Sequence, residues 1–231
     1  MAIVFSQAAG GSFGSSPNTT SITINVGDTV VVTVTNNSSV AVSTVADSGG
    51  STYVQRGTTA KNGTLWTEIW STSAGGAIAS TSVTVTMASS VFNAYSIMTY
   101  TGALALGTTA TPTTGSSTAS SIILTTQDAN NFVVAGMGCG TTLSATWSAS
   151  VGNLRTSQAS SHTTGALGTA GMDNTATSAT SVTNTATLSQ SDPWAATALE
   201  LRSVSAVVAV FEDDSFKQYQ PLPNLVTTVF S

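Results

Sequence analysis

Trp66-Thr-Glu68-Ile-Trp70 sets a carboxylate between two indoles. At alternate positions of a strand the three side chains share one face. Aromatic faces stack on sugar rings, and a low-dielectric setting raises a carboxyl pKa, so Trp66, Glu68 and Trp70 form a candidate glycan-binding site. Glycoside hydrolysis needs a second carboxylate across the scissile bond. It would have to come from Asp28, Asp47, Asp128, Asp173, Asp192 or Glu200. The plainer alternative is an edge strand whose glutamate is exposed and whose indoles pack on another sheet. No residue is assigned as catalytic.

The rest of the chemical inventory is thin. His162, the one histidine, lies in a Ser/Thr-rich stretch with no nucleophile elbow of the GxSxG type to accompany it, and reads as a solvated loop residue. Cys139 cannot form an intrachain disulfide because it is the one cysteine, and reads as a small buried strand residue. Asp47-Ser-Gly-Gly-Ser51 and Asp128-Ala-Asn-Asn131 carry oxygen ligands, but neither has EF-hand spacing and Asx turns account for both. No metal site and no cofactor is expected. The Thr-x-Thr pairs Thr33/Thr35, Thr84/Thr86 and Thr185/Thr187 read as outward strand faces.

The elements that position these residues are strands. Val30, Val32 and Val34 share one face of 29–35, and Val83, Val85 and Met87 one face of 81–87. Similar short runs fall at 2–5, 22–26, 40–45, 53–55, 65–70, 94–100, 122–125, 132–137, 182–188 and 194–201, separated by turns such as Val26-Gly-Asp28, Lys61-Asn-Gly63 and Ser191-Asp-Pro193. Helical periodicity is nearly absent. The fold class is therefore all-β, an antiparallel, jelly-roll-like β-sandwich.

The sandwich has pseudo-repeated halves. Ser21-Ile-Thr-Ile-Asn-Val26 with Val30–Val34 is echoed, roughly 100 residues on, by Ile122–Thr126 with Phe132–Gly136, and Tyr95–Tyr100 by Ala196–Leu201. The repeats run from about 20 to 102 and from about 120 to 203, and the Gly/Thr/Ser/Pro stretch 102–121 reads as their connection. One sandwich over residues 1–203, both halves giving strands to both sheets, is favoured; two tandem Ig-like sandwiches are the alternative. Residues 2–5 would then add a strand without a counterpart in the second half.

Residues 204–231 fall outside the repeat. A continuous apolar run to Phe211 is followed by Glu212-Asp-Asp214 and an aromatic, Pro-rich stretch. Phe211, Phe216, Tyr219, Leu222, Leu225, Val229 and Phe230 are too apolar for a solvated tail, so the segment reads as an arm that docks on a neighbouring subunit.

Composition narrows the setting. Charged residues make up 6% of the 231, against an ordinary level of roughly 25%. The 35 serines and 42 threonines supply hydroxyls where Lys and Glu would normally stand. Such a surface suits a protein packed against copies of itself or coating a particle. With five basic and ten acidic residues no basic stripe exists for a phosphate backbone, so nucleic-acid binding is not expected. The N-terminus lacks the basic region and apolar run of a secretory signal, and no apolar stretch approaches a membrane span, so the expected location is the cytoplasm or a virion assembled there.

The segments Val45-Ala-Asp-Ser-Gly-Gly-Ser-Thr-Tyr53, Glu68-Ile-Trp70, Val83-Thr-Val85, Tyr100-Thr-Gly102, Asn131-Phe-Val-Val134 and Trp194-Ala-Ala-Thr-Ala-Leu-Glu-Leu-Arg202 resemble a diffuse group of jelly-roll modules. These occur in phage virion proteins and in bacterial surface proteins or glycan-active enzymes. The resemblance covers about residues 20–203 and rests on strand and turn residues, so it carries no catalytic residue across. It implies an accessory or structural module: a non-enzymatic virion protein, a capsid decoration or cement subunit or a tail appendage. Its partners would be the major capsid protein or neighbouring copies, in a homo-oligomer. A glycan-binding tail or cell-surface adhesion module is the alternative.

Overall fold

Val30, Val32 and Val34 are buried as the alternation predicts, but so are Val31, Thr33 and Thr35 between and beyond them. The strand they form is covered on both faces, and the architecture follows from that. The computed structural model describes residues 2–13, 16–141, 146–160 and 166–203. These residues form β-strands and no helix, and every strand pairing among them is antiparallel.

The first half contains β1 (Val4–Phe13), β2 (Asn18–Ile24), β3 (Thr29–Asn37), β4 (Val42–Asp47), β5 (Val54–Asn62), β6 (Leu65–Ser71), β7 (Ser80–Met87) and β8 (Asn93–Thr101). They make a five-stranded sheet of order β1-β8-β3-β6-β5 and a three-stranded sheet of order β2-β7-β4. Ile22, Ile24, Val83 and Val85 of the small sheet meet Val32, Val34, Tyr95 and Ile97 of the large one in a single apolar cluster.

The second half contains β9 (Ala105–Thr109), β10 (Thr113–Thr125), β11 (Phe132–Thr141), β12 (Trp147–Val151), β13 (Asn153–Ser160), β14 (Ala166–Thr175) and β15 (Ser181–Arg202). All belong to one seven-stranded sheet of order β10-β15-β11-β14-β13, with β12 and β9 also on β15. The 22-residue β15 serves two neighbourhoods. Its residues 181–188 pair with β10 and β12, and 194–201 with β11. Side chains from both neighbourhoods, Ile122, Val182 and Leu188 from one and Ala135, Met137, Met172 and Ala196 from the other, enclose a common core.

The pairings of the two halves correspond. β3 lies between β8 and β6 as β11 lies between β15 and β14, and β7 lies between β2 and β4 as 181–188 lies between β10 and β12. The sequence repeat is thus a repeat of strand pairing. Three expectations about the halves need correction. Residues 102–121 are not a bare connection, since they supply β9 and much of β10. β1–β8 pair only with one another and β9–β15 likewise, so the halves do not share the sheets of one sandwich. The N-terminal strand also has a counterpart, since β9 and residues 113–117 of β10 pair along the end of β15 as β1 does along β8.

The halves meet face to face. Val31, Ile69, Met98 and Tyr100 of the five-stranded sheet pack on Val134, Leu199 and Leu201. Beside them a face of β11 made of Gly136, Gly138 and Gly140 lies against Thr33, Thr35, Thr67 and Asn37. A Cβ on Gly136 would lie 2.1 Å from Thr33 Cγ2, and one on Gly138 2.3 Å from Thr67 Oγ1. Absence of side chains on β11 lets the sheets approach. Thr33 and Thr35 are thereby enclosed, contrary to the outward placement expected of them, whereas Thr84, Thr86, Thr185 and Thr187 do keep partial exposure.

Candidate functional site around Glu68

β6 runs between β3 and β5, with Trp70 beside Val32 and Gln55, Glu68 beside Val34, and Trp66 beside Asn36 and Lys61. Strand parity puts all three residues on the face that carries Val32 and Val34, toward the three-stranded sheet. That sheet ends at β4, so β6 lies at its margin. Trp66 and Trp70 are half-buried there, while Glu68 is only 2% exposed.

The carboxylate is held from two sides. The Val42 backbone N–H of β4 donates to Oε1 at 3.3 Å, and the Trp70 indole N–H donates to Oε2 at 3.0 Å. Burial raises the Glu68 pKa; the Trp70 and Val42 hydrogen bonds and the charge of Lys61 oppose it without cancelling it. Lys61 Nζ lies 4.0 Å from the centroid of the Trp66 ring, a cation–π contact. The spacing therefore does place the three side chains together, but with the glutamate inside and the indoles at the rim. Chemically, Glu68 is a fixed acceptor that orients the Trp70 ring. Trp70 also packs against the core between the two sheets of the first half.

Asp47 of β4 accepts from the Gly49 and Ser51 N–H groups at 3.0 Å each and from the Tyr53 hydroxyl at 3.0 Å, an Asx turn as expected. Burial raises its pKa, but the Ser51, Tyr53 and Gly50 hydrogen bonds outweigh this and the net shift is downward. Asp128 pairs with Arg202, its Oδ2 accepting from Nε at 2.9 Å. Among the described residues no three His, Cys, Asp or Glu side chains converge as a metal site would require. His162 and the arm residues Phe211, Phe216, Tyr219, Leu222, Leu225, Val229 and Phe230 lie outside the described residues.

Two polar clusters were not foreseen. Tyr100 donates to Asp173 Oδ2 at 3.0 Å, Arg155 Nε to the same oxygen at 2.7 Å, and Asn153 Nδ2 to Oδ1 at 3.1 Å. Arg155 lies 4.1 Å over the Phe5 ring, and Tyr100 meets Phe5 and Phe132 edge-on. Burial, with the Asp173 charge and hydrogen bond, pushes the Tyr100 pKa far upward. Glu200, fully buried, accepts from Thr108 N–H and hydroxyl, Gln127 N–H and Asn131 Nδ2 at 3.1, 3.2, 2.7 and 2.6 Å. No local motif marks either cluster, because the partners lie 18 to 92 residues apart. Cys139 is buried in β11, its thiol pushed up to about 12 by burial, with the Asp192 charge adding to the effect.

The chain matches no protein-family model, no curated protein and no solved structure. Its fold and its site stand on their own geometry.

Proposed function

We propose that this chain is a non-enzymatic structural protein of a phage virion, a decoration or cement subunit on the capsid. The supporting observation is where its charge goes. Of the seven carboxylates among the described residues, Asp28, Glu68, Asp173, Asp192 and Glu200 are buried, leaving Asp47 and Asp128 partly exposed. Apart from these two and the basic side chains of Arg56, Lys61, Arg155 and Arg202, the polar surface of the described residues is mostly hydroxyls, several of which pair across strands: Thr19 with Thr84 at 2.8 Å, Ser121 with Thr185 at 3.0 Å, Thr125 with Ser181 at 2.9 Å and Ser150 with Thr187 at 2.6 Å. Desolvating a charge on docking costs several kcal/mol or so, and a surface of paired hydroxyls avoids that cost. It favours close lateral packing on a particle or on copies of the chain.

The strand orders β1-β8-β3-β6 and β2-β7-β4 support a jelly-roll reading of the first half, in which β5 has moved to the edge of the larger sheet. Residues 204–231 are the anchoring arm in this reading, with the capsid protein or neighbouring copies as partner. Antibodies raised against the sandwich should label intact particles produced by the genome that encodes the chain. Unlabelled particles, with the chain free in the lysate, would count against it.

A second reading has one specific observation behind it: two half-buried indoles at a sheet margin with a buried acceptor between them. A glycan stacking on Trp66 and Trp70 would make this an adhesion module. Trp66→Ala and Trp70→Ala should each abolish binding on a glycan array if so, and a blank array disposes of the reading.

A further inference from the structure

We propose that the second half of the molecule carries a binding site for a small, neutral aromatic molecule, in a space that the first half fills with its own backbone. The cavity, of about 240 Å³, opens between Ala2 and Ile3 on one side and Phe132 and Ala176 on the other. The repeat supplies the comparison. Thr29 lies opposite Tyr100 as Phe132 lies opposite Leu201, and Val4 lies opposite Thr101 as Ala105 lies opposite Arg202. Phe132 therefore stands where the first half has Thr29, and Ala2 and Ile3 correspond to Ala103 and Leu104.

The two corners are built alike. Gly27 N–H donates to the Ala77 carbonyl at 3.1 Å and Ala77 N–H to the Asp28 carbonyl at 3.0 Å; Asn130 N–H donates to the Ala176 carbonyl at 2.6 Å and Ala176 N–H to the Asn131 carbonyl at 2.9 Å. What differs is the chain that arrives at them. Thr72 N–H donates to the Val30 carbonyl at 3.1 Å, and Asn174 pairs with Val133. Between Thr72 and Ala77 the first half has Ser73-Ala-Gly-Gly76, where the second half has Thr175 alone between Asn174 and Ala176. Gly75 fills the first corner: its N–H donates to Thr29 Oγ1 at 2.9 Å, and a Cβ on it would lie 3.6 Å from the Gly27 carbonyl oxygen and 3.8 Å from that of Ala103. The equivalents of Thr29, Gly27 and Ala103 are Phe132, Asn130 and Ala2, and all three line the cavity. The shorter connection leaves that space open.

The lining selects the ligand. Ile3 and Ala176 are buried and Phe132 half-buried, and together they give the cavity an apolar floor. Where Thr29 offers Gly75 a hydroxyl, Phe132 offers a ring, which favours another ring packed edge-on or offset. A cavity of about 150 Å³ holds benzene, so this one has room for a substituted ring. No charged side chain is among the lining residues, so a charged ligand would lose water without compensation. Asn130, Thr175 and Thr177, exposed at the rim, can hydrogen-bond one hydroxyl or amide substituent. An apolar pocket with a few polar groups is the usual make-up of a small-molecule site. The site does not depend on the virion reading, so either can fail alone.

The probe is para-fluorophenol, titrated into the full chain and followed by fluorine NMR. One saturable site per chain is expected, and para-fluorobenzoate, ionised at neutral pH, should bind about tenfold more weakly or worse. Two variants close the cavity by different routes. Thr175→Ser with Ala-Gly-Gly inserted after it gives the second half the corner of the first, and Ala2→Trp puts a large ring on an exposed residue at the mouth. Each should weaken binding of the phenol about tenfold or more. Undiminished binding by Ala2→Trp overturns the proposal whether or not the insertion variant folds. A full chain without saturable binding, or one that takes the benzoate as well as the phenol, overturns it too.

Discussion

The Tyr100 hydroxyl, on the penultimate residue of β8, donates at 3.0 Å to Asp173 of β14, and so joins the two halves of the chain across a fully buried contact. Arg155 and Asn153 hold the same carboxylate from its own half. Tyr100→Phe leaves the ring contacts with Phe5 and Phe132 in place and removes one donor from a buried acceptor. The expected loss is about 2 kcal/mol, the range for a hydrogen bond to a charged group. Urea unfolding measures it, and an unchanged midpoint would mean that Arg155 and Asn153 satisfy Asp173 alone.

Gly136→Ala should destabilise the protein by about 1–3 kcal/mol, the usual cost of overpacking. The new methyl would meet the Cγ2 and Oγ1 of Thr33, 2.1 and 2.4 Å away, and these sit on a β-branched side chain enclosed between two sheets. Pairing with Thr33→Ala should return part of that loss. A double-mutant cycle with no coupling would show that the sheets separate freely at this point.

The part played by glycine explains much of what the sequence hid. Strands with a run of apolar residues at alternate positions, such as β3 and β7, were legible from that period, as was the repeat, although the period did not show that β3 is covered on its other face too. Gly136-x-Gly138-x-Gly140 is also a period-two pattern, but a face without side chains carries no hydrophobic signal. Residues 102–121 read as a connection for a similar reason. They supply β9 and much of β10, whose outward positions are Thr, Ser and Gly and whose stability comes from pairing with β15. At the site, parity sufficed to bring Trp66, Glu68 and Trp70 to one face. That Glu68 would be enclosed depended on how far β4 reaches, which no local pattern encodes.

Glu68 should make stability depend on pH with a definite sign. Burial leads the rise in its folded pKa, so its favourable contribution is complete below the unfolded carboxyl value and is lost as pH climbs through the raised one. Glu68→Gln removes this titration. The stability of the parent relative to Glu68→Gln should therefore be greatest in mild acid and decline toward neutrality. Denaturant midpoints for both proteins across that interval give the comparison, and a constant difference would mean that Glu68 titrates normally.

Cys139 should resist alkylation in the folded protein at neutral pH and react on unfolding. Its thiol is enclosed, with a pKa pushed up to about 12, so both access and thiolate are lacking. Rapid labelling under native conditions would place β11 at a surface.

The virion reading is tested most directly by sedimenting purified chain with particles assembled without it. The full chain should co-sediment and saturate at a fixed number of copies per particle, while a chain ending at Ser203 should stay in the supernatant. A full chain that remains in the supernatant at every concentration would contradict the reading.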